Sequence, residues 1–220
     1  MITSHDDLAR RLREAYAAGT VPPLRDGLRP TDAAGAYAVQ EINTSFWQAQ
    51  RRRVVGRKAG LAAKAVQAQP GADLPDLDTT ADQVAATVTS VHAAIGIVDS
   101  RIADWKITSA NTVADNGSSA FFVRAGKGLP LAGLDLVGAA MEITVNAAVA
   151  STGVGAAAPG NPLEAVASLA RTFGARGAAL KAGDILLAGA PGPMVALSRG
   201  DVVCAKVSGI GECSFIYGAI

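Results

Sequence analysis

The 220-residue chain carries 20 Lys and Arg against 19 Asp and Glu, a formal net charge of +1, so it lacks the basic excess of a nucleic-acid-binding surface. Half of its residues are apolar but only 5 % are aromatic, which implies a core of close-packed small and β-branched side chains, in one domain or a core with a smaller appended piece. No apolar run is long enough to span a bilayer, and the N-terminal Met1 to Asp7 is acidic where a secretory signal would be basic, so a soluble cytoplasmic protein is expected.

Ser4 predicts the cap of a first helix in which Leu8, Leu12 and Ala15 share one face, with Gly19 ending it. Val21-Pro22-Pro23-Leu24 is an extended connection. Thr31 is expected to cap a second helix that turns Ala34, Tyr37, Ala38, Ile42 and Phe46 to the core. The Arg51-Arg52-Arg53 run reads as a solvated helix end. Arg53 to Leu61 follows as a short strand running into glycine-relieved turns. Residues 1–69 thus form a helical N-terminal portion and 70–220 a β-rich core, the two making one unit.

Pro70 to Thr80 is a connection, and Asp78-Thr79-Thr80 caps a helix through Val84, Val88 and Val91. The stretch Ala93–Ser119 opens as a buried strand around Gly96 and ends in an Asp115-Asn116-Gly117-Ser118-Ser119 corner. Phe121 to Val123 is apolar, Met141 to Val145 alternates as a half-buried strand, and Asn146 to Ala148 turns it into Val149–Gly155. Asn161-Pro162 starts a helix with Leu163, Val166, Leu169, Ala170 and Phe173 on its apolar face and Gly177 at its end. Ile185 to Ala190 is a buried strand, and Val202–Val207 pairs with Ser214–Tyr217 across Gly209–Gly211. Cys204 and Cys213 flank that turn. Two buried thiols are preferred there to a disulfide, and neither their spacing nor His5 and His92 makes a zinc site. The whole is an α+β pattern.

Five motifs then stand in order: Val54-Val55-Gly56-Arg57-Lys58-Ala59-Gly60-Leu61, Ile97-Val98-Asp99-Ser100-Arg101-Ile102, Asn111 to Ser119, Gly160-Asn161-Pro162-Leu163, and Gly189-Ala190-Pro191-Gly192-Pro193-Met194. Over nearly the whole chain this set resembles the 2-keto-4-pentenoate hydratase / 4-oxalocrotonate decarboxylase family of the fumarylacetoacetate hydrolase superfamily. The resemblance implies a mixed β-roll core with a small helical N-terminal portion, and chemistry on enolisable 2-oxo acids. It also implies a homo-oligomer, or a hetero-oligomer with a homologue, and a small-molecule substrate.

In that family a divalent metal, magnesium or manganese, grips the substrate oxygens through a Glu-x-Glu pair and a third Glu preceding the Asp-Ser-Arg-Ile motif. Here the third position is Gly96. The pair is missing, because the chain passes from Ala65-Val66-Gln67-Ala68-Gln69 to Ala72-Asp73-Leu74-Pro75 with the intervening family block absent. The expectation is no metal and no other cofactor.

Lys58 matches the family lysine beside the substrate, suited to exchanging a proton or binding a carboxylate or oxyanion; a surface ion pair is the alternative. Ser151 and Thr152 match a hydroxyl-rich strand end that contacts substrate, or else cap a turn. Asp115, Asn116 and Ser118 match the family corner and also make a good turn by themselves. Pro193 and Met194 lie in a segment that brings backbone N–H groups near a ligand or simply turns a corner. By period-two alternation His92 shares a face with Gly96 and would supply an imidazole for proton transfer; a solvated histidine is the plainer reading. The expected function is a repurposed, metal-independent enzyme acting by cyclisation, isomerisation, dehydration or decarboxylation on a small enolisable or polyketide-like intermediate. A residual dienoate hydratase or decarboxylase, or a non-catalytic partner of an active homologue, are the alternatives.

Overall fold

A computed structural model describes residues 2–59, 79–158 and 160–218. Its helices are α1 (His5–Ala18), α2 (Ala33–Ala49), α3 (Ala81–Thr87), α4 (Ser109–Ala114) and α5 (Pro162–Gly174). Its strands are β1 (Gly56–Lys58), β2 (Ala94–Val98), β3 (Ser119–Arg124), β4 (Ala140–Val145), β5 (Ala148–Val154), β6 (Ile185–Leu187), β7 (Val202–Val207) and β8 (Gly211–Ile216). Among the described residues no helix is long and apolar enough to cross a membrane.

The chain divides into two units, Met1–Val55 with Ile97–Phe121, and Gly56–Gly96 with Phe122–Ile220. The helical unit is discontinuous in sequence, and the expected boundary at residue 69 lies outside the described residues. Helix α1 starts where Ser4 accepts the Asp7 N–H and ends where the Gly19 N–H reaches the Ala15 carbonyl at φ +92°. Asp32, not Thr31, caps α2 by accepting the Gly35 N–H. Its buried residues are Gly35, Ala36 and Val39, with Ile42 packed alongside. Ala34 and Phe46 stay exposed, and the Arg13 guanidinium lies 4.3 Å over the Phe46 ring. Small residues on the inner face let α2 approach the Leu8, Leu12, Leu24 and Leu28 cluster closely. Helix α4, capped by Thr108 on the Asn111 N–H, closes that core with Ala110 and Ala114.

The second unit holds a four-stranded antiparallel sheet in the order β5-β4-β7-β8. Asn146 and Ala147, with φ of +51° and +67°, form the two-residue β4–β5 turn that suits the twist of paired strands. Ile143 stands opposite Ala205, and Ala205 opposite Cys213, so these side chains share one face, with Ala205 and Cys213 buried. Cys204 stands opposite Ser214 and points to the other face. Both cysteines are free thiols, and alternation alone keeps their sulfurs apart.

Helix α3 opens with a reciprocal capping box between Thr80 and Gln83 and stops at Thr87, short of Val91, which bridges to Leu129. Helix α5 begins with Asn161 and Pro162 and ends at Gly174, three residues before the expected Gly177. Its Val166 and Ala167 pack against Val84, Leu180 and Leu186. The remaining strands pair as β1 with β6 and β2 with β3. The strand expected over Arg53–Leu61 is formed by Gly56–Lys58; Leu61, and the connection expected from Pro70 to Asp78, lie outside the described residues.

Candidate active site

Strands β1 and β6 run parallel with Gly56 opposite Ile185, Arg57 opposite Leu186 and Lys58 opposite Leu187. Leu186 packs into the α3–α5 cluster, and the Arg57 guanidinium sits 4.8 Å from the Phe173 ring of α5. That face of the pair is closed. Alternation sends Lys58 and Leu187 to the opposite face. There the Leu187 Cδ1 lies 3.9 Å from the point a Cβ on Gly96 would occupy, and Gly96 itself is exposed. This face is the ledge: Lys58 and Leu187 stand side by side on it, and Leu187 reaches Gly96 of β2. The Ala59 N–H donates to the Leu187 carbonyl at 2.9 Å and fixes the register at this end.

Beyond β6 the chain lies down on β5. The Ser151 hydroxyl donates to the Pro193 carbonyl at 2.8 Å and is buried. A Cβ on Gly153 would stand 2.0 Å from the Pro191 carbonyl oxygen, and one on Gly192 2.6 Å from that of Thr152. Both glycines are required by this backbone-to-backbone contact. Ser151 thus ties the 191–194 segment to β5 through its hydroxyl proton. Thr152, Pro193 and Met194 are exposed beside it.

His92 does not join them. Its Nδ1 is 2.9 Å from the Ala125 carbonyl oxygen and its Nε2 2.9 Å from the Ser90 hydroxyl. With the proton on Nδ1 the ring donates to Ala125 and accepts from Ser90. The Arg124 Nη1 approaches Nδ1 at 3.2 Å, and a Cβ on Gly128 would reach Nε2 at 2.4 Å. The ring staples residues 90–92 to the 124–128 turn. His92 lies four positions before Gly96 and outside β2, and these bonds give it a structural role.

In the helical unit the Asp115 corner is occupied by its own chain. The Asp115 carboxylate accepts from the Arg101 Nε, from the Arg101 backbone N–H at 3.1 Å and from the Ser100 hydroxyl at 3.1 Å. The Arg101 Nη2 donates to the Asp115 carbonyl at 2.8 Å and Nη1 to that of Ser119 at 3.0 Å. Both side chains are buried. Burial pushes the Asp115 carboxyl up, while the Arg101 and Ser100 donors pull against it. Asn116, Gly117 and Ser118 all take positive φ, which makes the turn. Asp115 thus holds Arg101. The Ser118 Oγ and Asn111 Oδ1 are buried without a hydrogen-bond partner among the described residues. Sequence reasoning missed Arg101 and Leu187; the Asp-Ser-Arg triplet was a signal for the first, and nothing local marked the second.

Residues 71–215 match the family model for the fumarylacetoacetate (FAA) hydrolase C-terminal region. The chain is 40 % identical to a 2-keto-4-pentenoate hydratase of Burkholderia vietnamiensis over 247 aligned positions, covering 93 % of this chain and 94 % of that one. It is 39 % identical to 2-keto-4-pentenoate hydratase 1 of Dechloromonas aromatica, covering 98 % of each. Since 93 % of 220 residues is about 205, about forty of the 247 positions in the first alignment have no counterpart in this chain. A solved 4-oxalocrotonate decarboxylase from Pseudomonas putida G7, complexed with magnesium and adipate, superposes with a TM-score of 0.87 at 24 % identity, covering 97 % of both chains. That likeness bears out the α+β fold, and the sequence relatives show the lineage: the chain belongs to the fumarylacetoacetate hydrolase family, among its 2-keto-4-pentenoate hydratase relatives.

Proposed function

We propose that this chain is a lyase-type enzyme that acts on a small enolisable acid at the Lys58 ledge without a divalent metal. The observation that carries the reading is the convergence of Lys58, Leu187 and Gly96 on one open face. At that place the chain offers a cation, an aliphatic side chain and no side chain at all, which is the wrong donor set for a hard cation that takes oxygen ligands. Among the described residues no three His, Cys, Asp or Glu side chains cluster as a metal site. The full sequence contains no Glu-x-Glu pair, and the forty or so unmatched positions are the size of loss that removal of a lid segment and a ligand strand would give.

Lys58 supplies the charge in this reading. Its ammonium holds a carboxylate, or the oxygen on which negative charge gathers as an α- or γ-proton leaves or a carboxyl group departs as carbon dioxide. Loss of either group leaves its electron pair in the enolate, and the ammonium beside the oxygen lowers that barrier. Ser151 keeps the 188–194 segment against β5. Dehydration, isomerisation, cyclisation and decarboxylation all pass through such an enolate, and an enolisable polyketide-like acid fits the same requirement.

The test is turnover of 2-hydroxyhexa-2,4-dienoate and related 2-oxo acids, followed by absorbance with and without a chelator. Turnover is expected to be indifferent to chelation, and Lys58→Met to lower it by about 10²- to 10³-fold with folding intact. The identity to hydratases favours a second reading, a residual metal-dependent hydratase. Turnover that appears only with added magnesium would establish it and overturn the first.

A further inference from the structure

We propose that the arginine–aromatic surface at the C-terminal end of α2 is a docking site for an acidic peptide segment of a partner protein. The proposal is independent of the reading of Lys58. Three rings lie in a row on the helical unit: Tyr16 of α1 meets Trp47 of α2 edge-on at 6.1 Å, and Trp47 meets Phe46 edge-on at 5.1 Å. Each ring carries a guanidinium. Arg101 lies 5.0 Å from the Tyr16 centroid, Arg52 4.1 Å from that of Trp47 and Arg13 4.3 Å from that of Phe46. Tyr16 and Phe46 remain exposed, and Arg13, Phe46 and Trp47 line a cleft of about 440 Å³ with Arg10, Glu14 and Gln50. The end of α2 builds this surface. The helix stops at Ala49, and Arg51 takes φ +66°, a left-handed conformation that usually falls to glycine. The Arg52 N–H then turns back to the Trp47 carbonyl at 3.0 Å, and the same reversal brings the Arg52 guanidinium over the Trp47 ring.

The arginines here are not used alike. Arg10 is held by Asp7 and Glu14, and Arg101 by Asp115. Arg13 donates to the neutral Asn43 amide at 2.7 Å, and among the described residues no carboxylate pairs with Arg13, Arg51, Arg52 or Arg53. A guanidinium stacked on a ring is held in one orientation and keeps an N–H edge with which to grip a carboxylate bidentately. Arginine and aromatic side chains are also those that carry most of the binding energy at protein interfaces. The Phe46 and Trp47 rings are neighbours, so two carboxylates of one short segment reach Arg13 and Arg52 together. Charge complementarity therefore selects an acidic occupant. Single-stranded nucleic acid fits less well, because the guanidiniums lie over the Phe46 and Trp47 rings, where bases would have to stack.

The experiment is a fluorescence-anisotropy titration, at low salt, of the full chain into a short labelled peptide of Glu, Asp and Leu. Its counterpart with Gln and Asn for the acids, and an oligothymidylate of the same charge, are titrated alongside. The acidic peptide is expected to bind at least about tenfold tighter than either. Arg13→Lys and Arg52→Lys, which keep the charge but lose the stacked fork, should each weaken it by about tenfold, while Arg53→Lys stays within about twofold of the parent. A surface acting through charge alone would not tell lysine from arginine. Affinity for the acidic peptide unchanged in both Arg13→Lys and Arg52→Lys overturns the proposal, as does an oligothymidylate bound as tightly or an acidic peptide that does not bind. Self-association of the chain that Arg52→Lys abolishes would also overturn it, by making a second copy the occupant.

Discussion

The Asp115 corner and the Lys58 ledge are both short polar stretches at the ends of regular elements, yet they use their charges in opposite ways. At the corner every strong donor of Arg101 is turned inward, onto the Asp115 carboxylate and two carbonyls, and both side chains are buried. On the ledge Lys58 shares an open face with an aliphatic side chain and a glycine. A buried, fully satisfied charge pair fixes a chain path and has little left for a ligand. A charge set beside uncovered apolar surface is disposed to take one. The family resemblance alone nominates residues at both places; burial separates them.

The sharpest way to break this contrast is to unpair the corner. Arg101→Ala strands a buried carboxylate and is expected to destabilise the protein by about 3–5 kcal/mol, read by chemical denaturation. A loss below about 1 kcal/mol, the level of an exposed pair, would return the corner to the list of candidate ligand sites.

Two glycines sharpen the same contrast in the second unit. A Cβ on Gly56 would stand 1.9 Å from the Ile185 carbonyl oxygen, so Gly56→Ala must push β1 away from β6. The expected loss is about 1–3 kcal/mol, with Lys58 displaced as well. Among the described residues, Gly96→Ala meets only Leu187 Cδ1, in ordinary contact at 3.9 Å, and replacing a strand glycine with alanine is expected to leave stability unchanged or raise it by up to about 1 kcal/mol. Equal losses in the two variants would mean that the ledge at Gly96 is not open. His92→Ala should cost about 1–2 kcal/mol through its bonds to Ala125 and Ser90, while the rate of the Lys58 reaction stays within about twofold of the parent. A rate collapse at unchanged stability would put the imidazole back at the chemistry.

Much of the fold was legible because its signals are local. Ser4, the Thr80 and Gln83 box, and Asn161 followed by Pro162 start helices by satisfying backbone N–H groups within three residues. Asn146 and Ala147 turn a hairpin within their own bonds. At Thr31 and Asp32 two adjacent residues can both cap, and only packing of Gly35 and Ala36 on the α1 core settles the choice. Helix α4, at six residues, is too short to show a period. The site was less legible, because it depends on pairings far apart in the chain. Lys58 and Leu187 are brought together by a parallel register that no nearby residue announces. For His92 alternation was no guide, because β2 starts only at Ala94; its partners Arg124, Ala125 and Gly128 arrive from another strand end and hold the ring.

The smallest expected effect lies at the solvent edge of the helical unit, where charges are not buried as Asp115 is. Asp26 accepts from the Thr3 hydroxyl and from the Arg11 guanidinium, each at 2.7 Å. The Thr3 hydrogen bond, with Arg11 adding to it, holds its carboxyl below the ordinary value of 3.8. A carboxyl whose folded-state pKa is depressed contributes stability above its unfolded pKa and loses it as pH falls through the folded value. Asp26→Asn should therefore be slightly less stable than the parent near neutrality, and the gap should close below about pH 4. Because the Asp26 side chain is about half exposed, solvent and salt screen the pair, and the gap should also shrink in high salt. A gap that persisted at pH 2 would show that the asparagine perturbs packing of the α1 entry rather than removing a charge.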